Sequence, residues 1–502
     1  MLCILIHSVE WLPQLNQVGG MIVKKWNLKL AVEGVKTYWD KPPEGKYIPY
    51  QEFVAYSVGG IGVNTINSLF GYVALTANCL LLGSAYQIAP MDLAIMSIVM
   101  SILNLVKTPF ISMLVDNTNT KYGKFRPYLL LTGVPTAVLL ILMAFIPNSL
   151  SYPLKCTMLS LIYALLMIFQ SLYALAFTSL AQVLTPNGEE RTGLLSVSQF
   201  IYSLGPSIVN LFFPILAGLF PGGMTGFTAY RTLFPIFSVF GIILSLWTFK
   251  GTEEKIVVPR NYVAKVRFVD GISEIKSNKY FWLMTLYNVL GGLKYGIGGI
   301  LAWYCIYVIR SDAVLGVMNA VIGTASVPGM LLAPLLAKKI GKRSSLIWFN
   351  LLRAVFAGLM LVTTKSPFLF LACLYLSTVA IGGDGVMVSA MTADVFDYQQ
   401  WKTGKRLEGF ITQFSGMLVT AATMLFNLIL PWFYEHYGLE KDYTVLFQEA
   451  VRTPIFNIMI ITTVISCLAA VIPILFYDMT EKKQAQIIAD LKERAERAEA
   501  EI

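Results

Sequence analysis

Apolar positions gather in runs of about twenty residues, divided by short stretches of glycine, proline and charge, from about residue 50 to residue 480. A run of that length crosses about 30 Å of hydrocarbon as an α-helix. Twelve spans are predicted, near 55–84, 90–114, 127–147, 154–183, 194–219, 231–249, 280–308, 313–337, 344–364, 367–393, 408–433 and 453–477. The expected fold class is an all-α membrane protein with twelve transmembrane helices.

Composition supports that pattern. Hydrophobic residues make up 56% of the 502 and charged ones 13%, and the mean hydropathy is +0.65. A soluble chain of this length would divide into domains with polar surfaces. The cations are unevenly placed. Lys121, Lys124, Arg126, Arg191, Lys338, Lys339, Lys342, Arg343, Lys402, Lys405 and Arg406 fall in connections from even to odd spans. The positive-inside rule puts that side, and both termini, in the cytoplasm of a multi-pass cell-membrane protein. The net charge of +9 reflects this bias, and no basic face interleaved with aromatics suggests a nucleic-acid partner.

Two loop patterns recur. Asp116 to Pro127, with its Gly123-Lys124-Phe-Arg126 core, returns as Gly341-Lys342-Arg343, and Glu190-Arg191-Thr-Gly193 matches Gly404-Lys405-Arg406 in place. A duplicated chain follows, with two six-helix halves and a substrate path expected between them. The boundaries read as a cytoplasmic segment 1–50, a half 51–250, a charged linker 251–279 read as a solvated tether, a half 280–478, and a charged, solvated helix 479–502.

The chain resembles the glycoside-pentoside-hexuronide:cation symporters, the melibiose-permease-like branch of the major facilitator superfamily. The resemblance rests on Tyr56-Ser-Val-Gly-Gly60-Ile-Gly62, on the Asp116 to Tyr128 loop, and on Met391-Thr-Ala-Asp394-Val-Phe-Asp397-Tyr398 continued by Lys402-Thr-Gly404-Lys-Arg406-Leu-Glu408-Gly409. It implies a major facilitator fold and alternating access. Asp116, Arg126, Arg191, Asp394, Asp397, Arg406 and Glu408 are candidate cytoplasmic gate charges, or else topology markers and helix caps. Gly123 and Gly404 are expected at positive φ.

This sequence departs from the family pattern where the family binds its cation. Those positions fall on Asn64, Asn104, Thr108 and Ala174, none of them acidic, so Na⁺ coupling by the family's route is not expected. The family's sugar-side arginine falls on Gln199 and its span 11 lysine on Thr420. Cations stand in their place. Lys107 lies about 13 Å by helical rise from Asp116, and Lys294 lies near the middle of span 7. A charge at that depth marks function unless it is paired.

Two readings stay open for these lysines. Lys107 acts as a tethered cation, neutralised by Asp384 or by polar groups, or Lys107 and Lys294 draw an anionic group of the substrate. Asp384, the one deep carboxylate, is the candidate carrier of a coupling proton. Arg353 in span 9 is either a further deep charge or lies nearer the cytoplasmic end, snorkelling. Tyr56, Asn64, Gln199, Tyr287, Tyr295, Trp303 and Thr420 suit a sugar path, where aromatic rings stack and amides meet hydroxyls. Trp432, Tyr434 and Tyr437 read as interfacial belt.

The expected function is secondary active transport of a glycoside or hexuronide, neutral or anionic, with H⁺ favoured over Na⁺. An uncoupled facilitator or a lysolipid carrier stands as the alternative, and a membrane sensor as the alternative of another class. No enzyme, cofactor or metal is expected: the six cysteines are dispersed, only His7 and His436 occur, and no phosphate loop is present. The expected partners are the small-molecule substrate, H⁺ and membrane lipids. No signal peptide is expected, and Met21 competes with Met1 as the start. Lys24, Lys25, Lys29 and Lys36 among Trp26, Leu28 and Leu30 suggest an interfacial helix or a tail.

Overall fold

Glycine decides where these helices touch and where they break. The computed structural model of the protein describes residues 37–500 apart from 44, 117, 119, 121, 187, 256–273 and 405–407. The amino-terminal basic segment, most of the linker and Arg406 lie outside the described residues, as do the side chains of Asp116 and Glu408. Among the described residues there is no strand, only an isolated bridge between Thr120 and Gly123.

Eleven stretches, from Pro90–Thr108 to Glu449–Leu475, are long and apolar enough to cross a membrane. The first expected span is the exception. Its helix, Tyr50–Gly71, contains Gly59, Gly60, Gly62, Asn64, Thr65 and Asn67, which dilute its apolarity. It also ends earlier than expected, at Gly71, and the chain reaches a π-helical turn at Leu80–Ala85 only after Thr76 and Asn78. Span 5 is likewise divided, into Gly188–Tyr202 and Leu204–Ala217, where Gly205-Pro206 follows the break.

By contacts the chain forms two units, one of Met1–Ala74, Val106–Gly222 and Phe227–Val263, the other of Leu75–Leu105, Gly223–Gly226 and Ala264–Ile502. In the first, Tyr50–Gly71 packs on Phe227–Gly251. A Cβ on Gly62 would stand 2.2 Å from the Gly241 carbonyl oxygen and 2.6 Å from the Ser245 nitrogen. In lipid, helices associate through such close backbone approach. Gly62→Leu is therefore expected to exceed the ~1–3 kcal/mol typical of overpacking, because backbone cannot yield as a side chain does. The yield of monodisperse protein in detergent checks this, and a variant with wild-type yield and melting temperature refutes it.

The two Gly-Lys loops share a local geometry. Gly123 and Gly341 both take positive φ, 102° and 84°, and so does Gly404 at 73°. Glu254, just past the helix ending at Gly251, accepts from the N–H groups of Lys124, Phe125 and Arg126 at 2.8, 2.7 and 2.9 Å. Glu481, past the helix ending at Leu475, accepts from the N–H of Lys342 at 2.7 Å. Each carboxylate thus covers orphan donors at the start of a helix and complements its dipole.

Contacts of this kind also tie down the ends of two segments read as solvated. The first linker residues are strapped to their unit, with Lys255 Nζ 2.6 Å from Glu52 as well as Glu254 in place. The terminal helix Glu481–Ala500 also docks rather than standing in solvent. Ile487 is buried and Leu491 packs beside it, one turn apart on a single face. Trp401 Nε1 donates to Asp490 at 2.9 Å, and Lys342 Nζ donates to Gln484 at 2.8 Å. At its root, the hydrogen bond from Lys279, joined by that from Tyr280, holds the Asp478 carboxyl at about 2. Because that value is depressed, its contribution is complete above about pH 4 and is lost only as pH falls toward 2.

Candidate functional site

Span 7 carries five glycines within residues 291–299. Each costs an α-helix about 1 kcal/mol relative to Ala. The helix Lys279–Leu290 accordingly gives way to a 3₁₀ stretch, Gly292–Gly299, before α-helix resumes at Ile300. Lys294 lies in that stretch, and its carbonyl accepts a hydrogen bond from the Arg353 guanidinium.

The Lys294 side chain turns to Asp384, with Nζ 2.7 Å from Oδ2 and both residues buried. The Tyr287 hydroxyl donates to Asp384 Oδ1 and accepts from Lys294 Nζ at 2.8 Å. Asn350 Nδ2 lies 2.8 Å from Asp384 Oδ1 and 2.9 Å from the Tyr287 oxygen. Two glycines let Asp384 reach this point. A Cβ on Gly382 would stand 2.0 Å from the Ser326 carbonyl oxygen, and one on Gly383 would stand 2.2 Å from the Phe349 ring. A buried ion pair survives only when further hydrogen bonds complete it, and Tyr287 and Asn350 supply them.

Arg353 takes the deep place of the two left open for it. It is 2% exposed, with Cζ 5.0 Å from the Tyr295 ring centroid. It lies eleven residues into Lys342–Thr363, about 16 Å from that helix's start and beyond a side chain's reach to the interface. Its Nε and Nη1 have no hydrogen-bond partner among the described residues. The centre therefore holds two cations, Lys294 and Arg353, against one carboxylate.

Tyr295 covers this centre. Its ring is 56% exposed and lines a cavity of about 510 Å³ with Thr285, Asn288, Ser415 and Thr420. The Thr420 hydroxyl donates to the Gly416 carbonyl at 2.8 Å, which leaves its oxygen able to accept.

In the first unit, Lys107 is 7% exposed and donates to the Met167 carbonyl at 2.7 Å and to the Ser171 hydroxyl. No carboxylate among the described residues pairs with it. Asp384, one partner expected for Lys107, is taken by Lys294 instead. Asn104 and Thr108 are exposed on the same helix, as is Gln199 on its own. Asn64 is half-buried and donates to the Gly60 carbonyl at 3.0 Å. Tyr56 is buried, stacked on Phe177 at 4.7 Å, so its ring serves packing rather than an open path.

Arg126, Arg191 and Asp394, of the described gate candidates, have partners inside their own units. Arg126 donates to the Phe249 carbonyl at 2.7 Å and Arg191 to the Thr185 carbonyl at 2.9 Å. Asp394 accepts from Lys342 Nζ at 2.7 Å and from Gln484. Asp397 is half-buried on the same helix. Sequence reasoning missed Asn350, although an Asn three residues before Arg353 on one helix face was a legible signal. Tyr434 was read as belt, but it is buried, while Trp432 and Tyr437 are exposed. No cluster of metal-ligating residues occurs among the described residues.

Comparison with known proteins agrees with this architecture. Residues 55–481 match the family described as MFS/sugar transport protein. The uncharacterized symporter YnaJ of Bacillus subtilis (strain 168) is 24% identical over 463 residues, 89% of this chain and 96% of the relative. The isoprimeverose transporter of Lactiplantibacillus pentosus is 25% identical over 73% of this chain and 76% of its own, and the glucuronide carrier protein homolog of Escherichia coli (strain K12) is 25% identical over 77% and 84%. The solved D-xylose-proton symporter shares the fold, with a TM-score of 0.55 and 12% identity over 84% of this chain and 97% of that one. With the motif match, the duplicated glycine-lysine loops and the apolar helices agreeing, the chain belongs to the MFS/sugar transport proteins, in the glycoside-pentoside-hexuronide:cation symporter branch of the major facilitator superfamily.

Proposed function

We propose that this secondary transporter moves an anionic glycoside, a hexuronide or a sulfonated sugar, together with H⁺, across the cell membrane with both termini in the cytoplasm. The observation that carries the reading is the charge balance of the Lys294, Arg353 and Asp384 centre. Protonating Asp384 removes the only carboxylate of the three and leaves two buried cations uncompensated, which costs several kcal/mol in a low-dielectric site. A substrate anion drawn to those cations removes that cost. Proton and anion therefore favour each other's binding, and the preference is reciprocal. In the other unit, Lys107 is a buried cation on the stretch that resembles the family's cation-site helix, and the relatives named for a glucuronide and an isoprimeverose fit a sugar cargo.

Thermal stabilisation of the purified protein tests the reading, because a ligand of the native state raises apparent stability. Methyl glucuronide is expected to stabilise more at pH 5.5 than at pH 7.5, equally with and without Na⁺. Stabilisation that requires Na⁺, or that is confined to neutral glycosides, overturns it.

A further inference from the structure

The Gly292–Gly299 stretch is eight residues of 3₁₀ helix inside an apolar span. Such runs rarely exceed about four residues, because their hydrogen bonds are poorer than those of an α-helix, and one in mid-helix often marks a hinge. Packing accounts for some of the glycines from 291 to 299. A Cβ on Gly299 would fall 1.7 Å from Asn78 Nδ2, and Cβ atoms on Gly291 and Gly292 would find neighbours at 3.0 and 3.1 Å. A Cβ on Gly296 would meet only the flexible tip of Leu430, at 3.2 Å, and one on Gly298 would meet nothing within 4 Å. None of the five takes a positive φ. Gly296 and Gly298 therefore serve neither a close approach nor a left-handed turn. What they give the chain is conformational freedom.

Lys294 ties this stretch to the charged centre twice. Its side chain pairs with Asp384 at 2.7 Å, and its carbonyl accepts from the buried Arg353 guanidinium, two of whose nitrogens have no partner among the described residues. Tyr287, Tyr295, Arg353 and Cys467 are the other titratable groups close to the pair. A 3₁₀ helix turns about 120° and rises about 2.0 Å per residue, an α-helix about 100° and about 1.5 Å. Rewinding the eight residues as α-helix would shorten the span by about 4 Å and turn Lys294 and Tyr295 together about its axis. An ion pair held at hydrogen-bond distance does not survive such a turn.

We propose that residues 291–299 are a coupling hinge. The Lys294–Asp384 pair holds the 3₁₀ form, and when the pair opens the stretch rewinds toward α-helix and moves the Tyr295 ring relative to the cavity that it lines. The proposal rests on the reading of Asp384 as the proton carrier. Gly296 and Gly298 set how easily the two forms exchange.

The test uses Gly296→Ala, Gly298→Ala and the two together. Gly358→Ala is the control, a glycine inside the helix Lys342–Thr363 where a Cβ would meet only Val464, at 4.0 Å. Melting temperature and amide hydrogen exchange are measured in detergent, and H⁺-driven uptake of methyl glucuronide in proteoliposomes. Alanine restricts the unfolded chain and favours helix, so every variant should melt at or above wild type. Each alanine in the stretch should bias it about five-fold toward α-helix. Net uptake should fall by about that factor per substitution, because the 3₁₀ form must return for the pair to re-form. Hydrogen exchange across 292–299 should slow in the double variant, and Gly358→Ala should take up substrate as wild type does. A double variant with wild-type uptake and exchange overturns the hinge and leaves the transport reading standing. A lowered melting temperature in both single variants also overturns it, since the glycines would then serve packing. A wild type that takes up no methyl glucuronide overturns the transport reading and the hinge with it.

Discussion

Asp384→Asn is expected to abolish H⁺-driven accumulation of a uronide in proteoliposomes and to lower stability by about 3–5 kcal/mol, the cost of breaking a buried ion pair from one side. The loss follows from geometry. Lys294 Nζ lies 2.7 Å from Asp384 Oδ2, and Arg353 Nε and Nη1 already lack hydrogen-bond partners among the described residues, so removing the carboxylate leaves two buried cations with no counter-charge in the centre. The double replacement Lys294→Met with Asp384→Asn should regain part of the stability, since it removes the paired charges together and leaves Arg353 as the one cation of the centre. It should still fail to accumulate substrate, because no group remains to load the proton. A double-mutant cycle on melting and uptake separates these effects. Asp384→Asn that concentrates uronide against its gradient at the wild-type rate would refute the coupling role.

Lys107→Met should separate the two readings of that lysine. The ammonium is buried and held by a carbonyl and a hydroxyl, with no carboxylate pairing among the described residues, so its desolvation is poorly repaid. Methionine keeps the length without the charge, and stability should hold or rise. If Lys107 recognises an anion, the affinity for methyl glucuronide falls about 10- to 100-fold, as a hydrogen bond to a charged group is worth about 1.5–3 kcal/mol, while the affinity for methyl glucoside stays unchanged. Calorimetric titration of both sugars decides. Equal weakening of the two would make Lys107 a tethered cation that holds the fold of the site, and would withdraw it from substrate recognition.

Hydropathy and local spacing made much of this legible. The apolar runs located eleven of the twelve expected spans, and the repeated Gly-Lys loops marked two turns that Glu254 and Glu481 cover. Lys294 and Asp384 stood out because a charge in an apolar run is conspicuous in one dimension. Their pairing did not. The same limit explains Tyr434, whose place near a span end suggests the interface, whereas packing beside Trp303 at 5.5 Å buries it.

The sequence by itself determined the membrane, the helical class and the family, because each follows from the order of residues over windows of twenty or from short motifs. Only the tertiary structure decided which polar groups meet. Lys294 and Asp384 are 90 residues apart and Asn350 and Asp384 are 34 apart, and Arg353 is left short of partners by that same convergence. Local periodicity carries no information about contacts between different helices. They arise where glycines such as Gly382 and Gly383 let backbones close in, and where burial makes each remaining hydrogen bond costly to leave unmade.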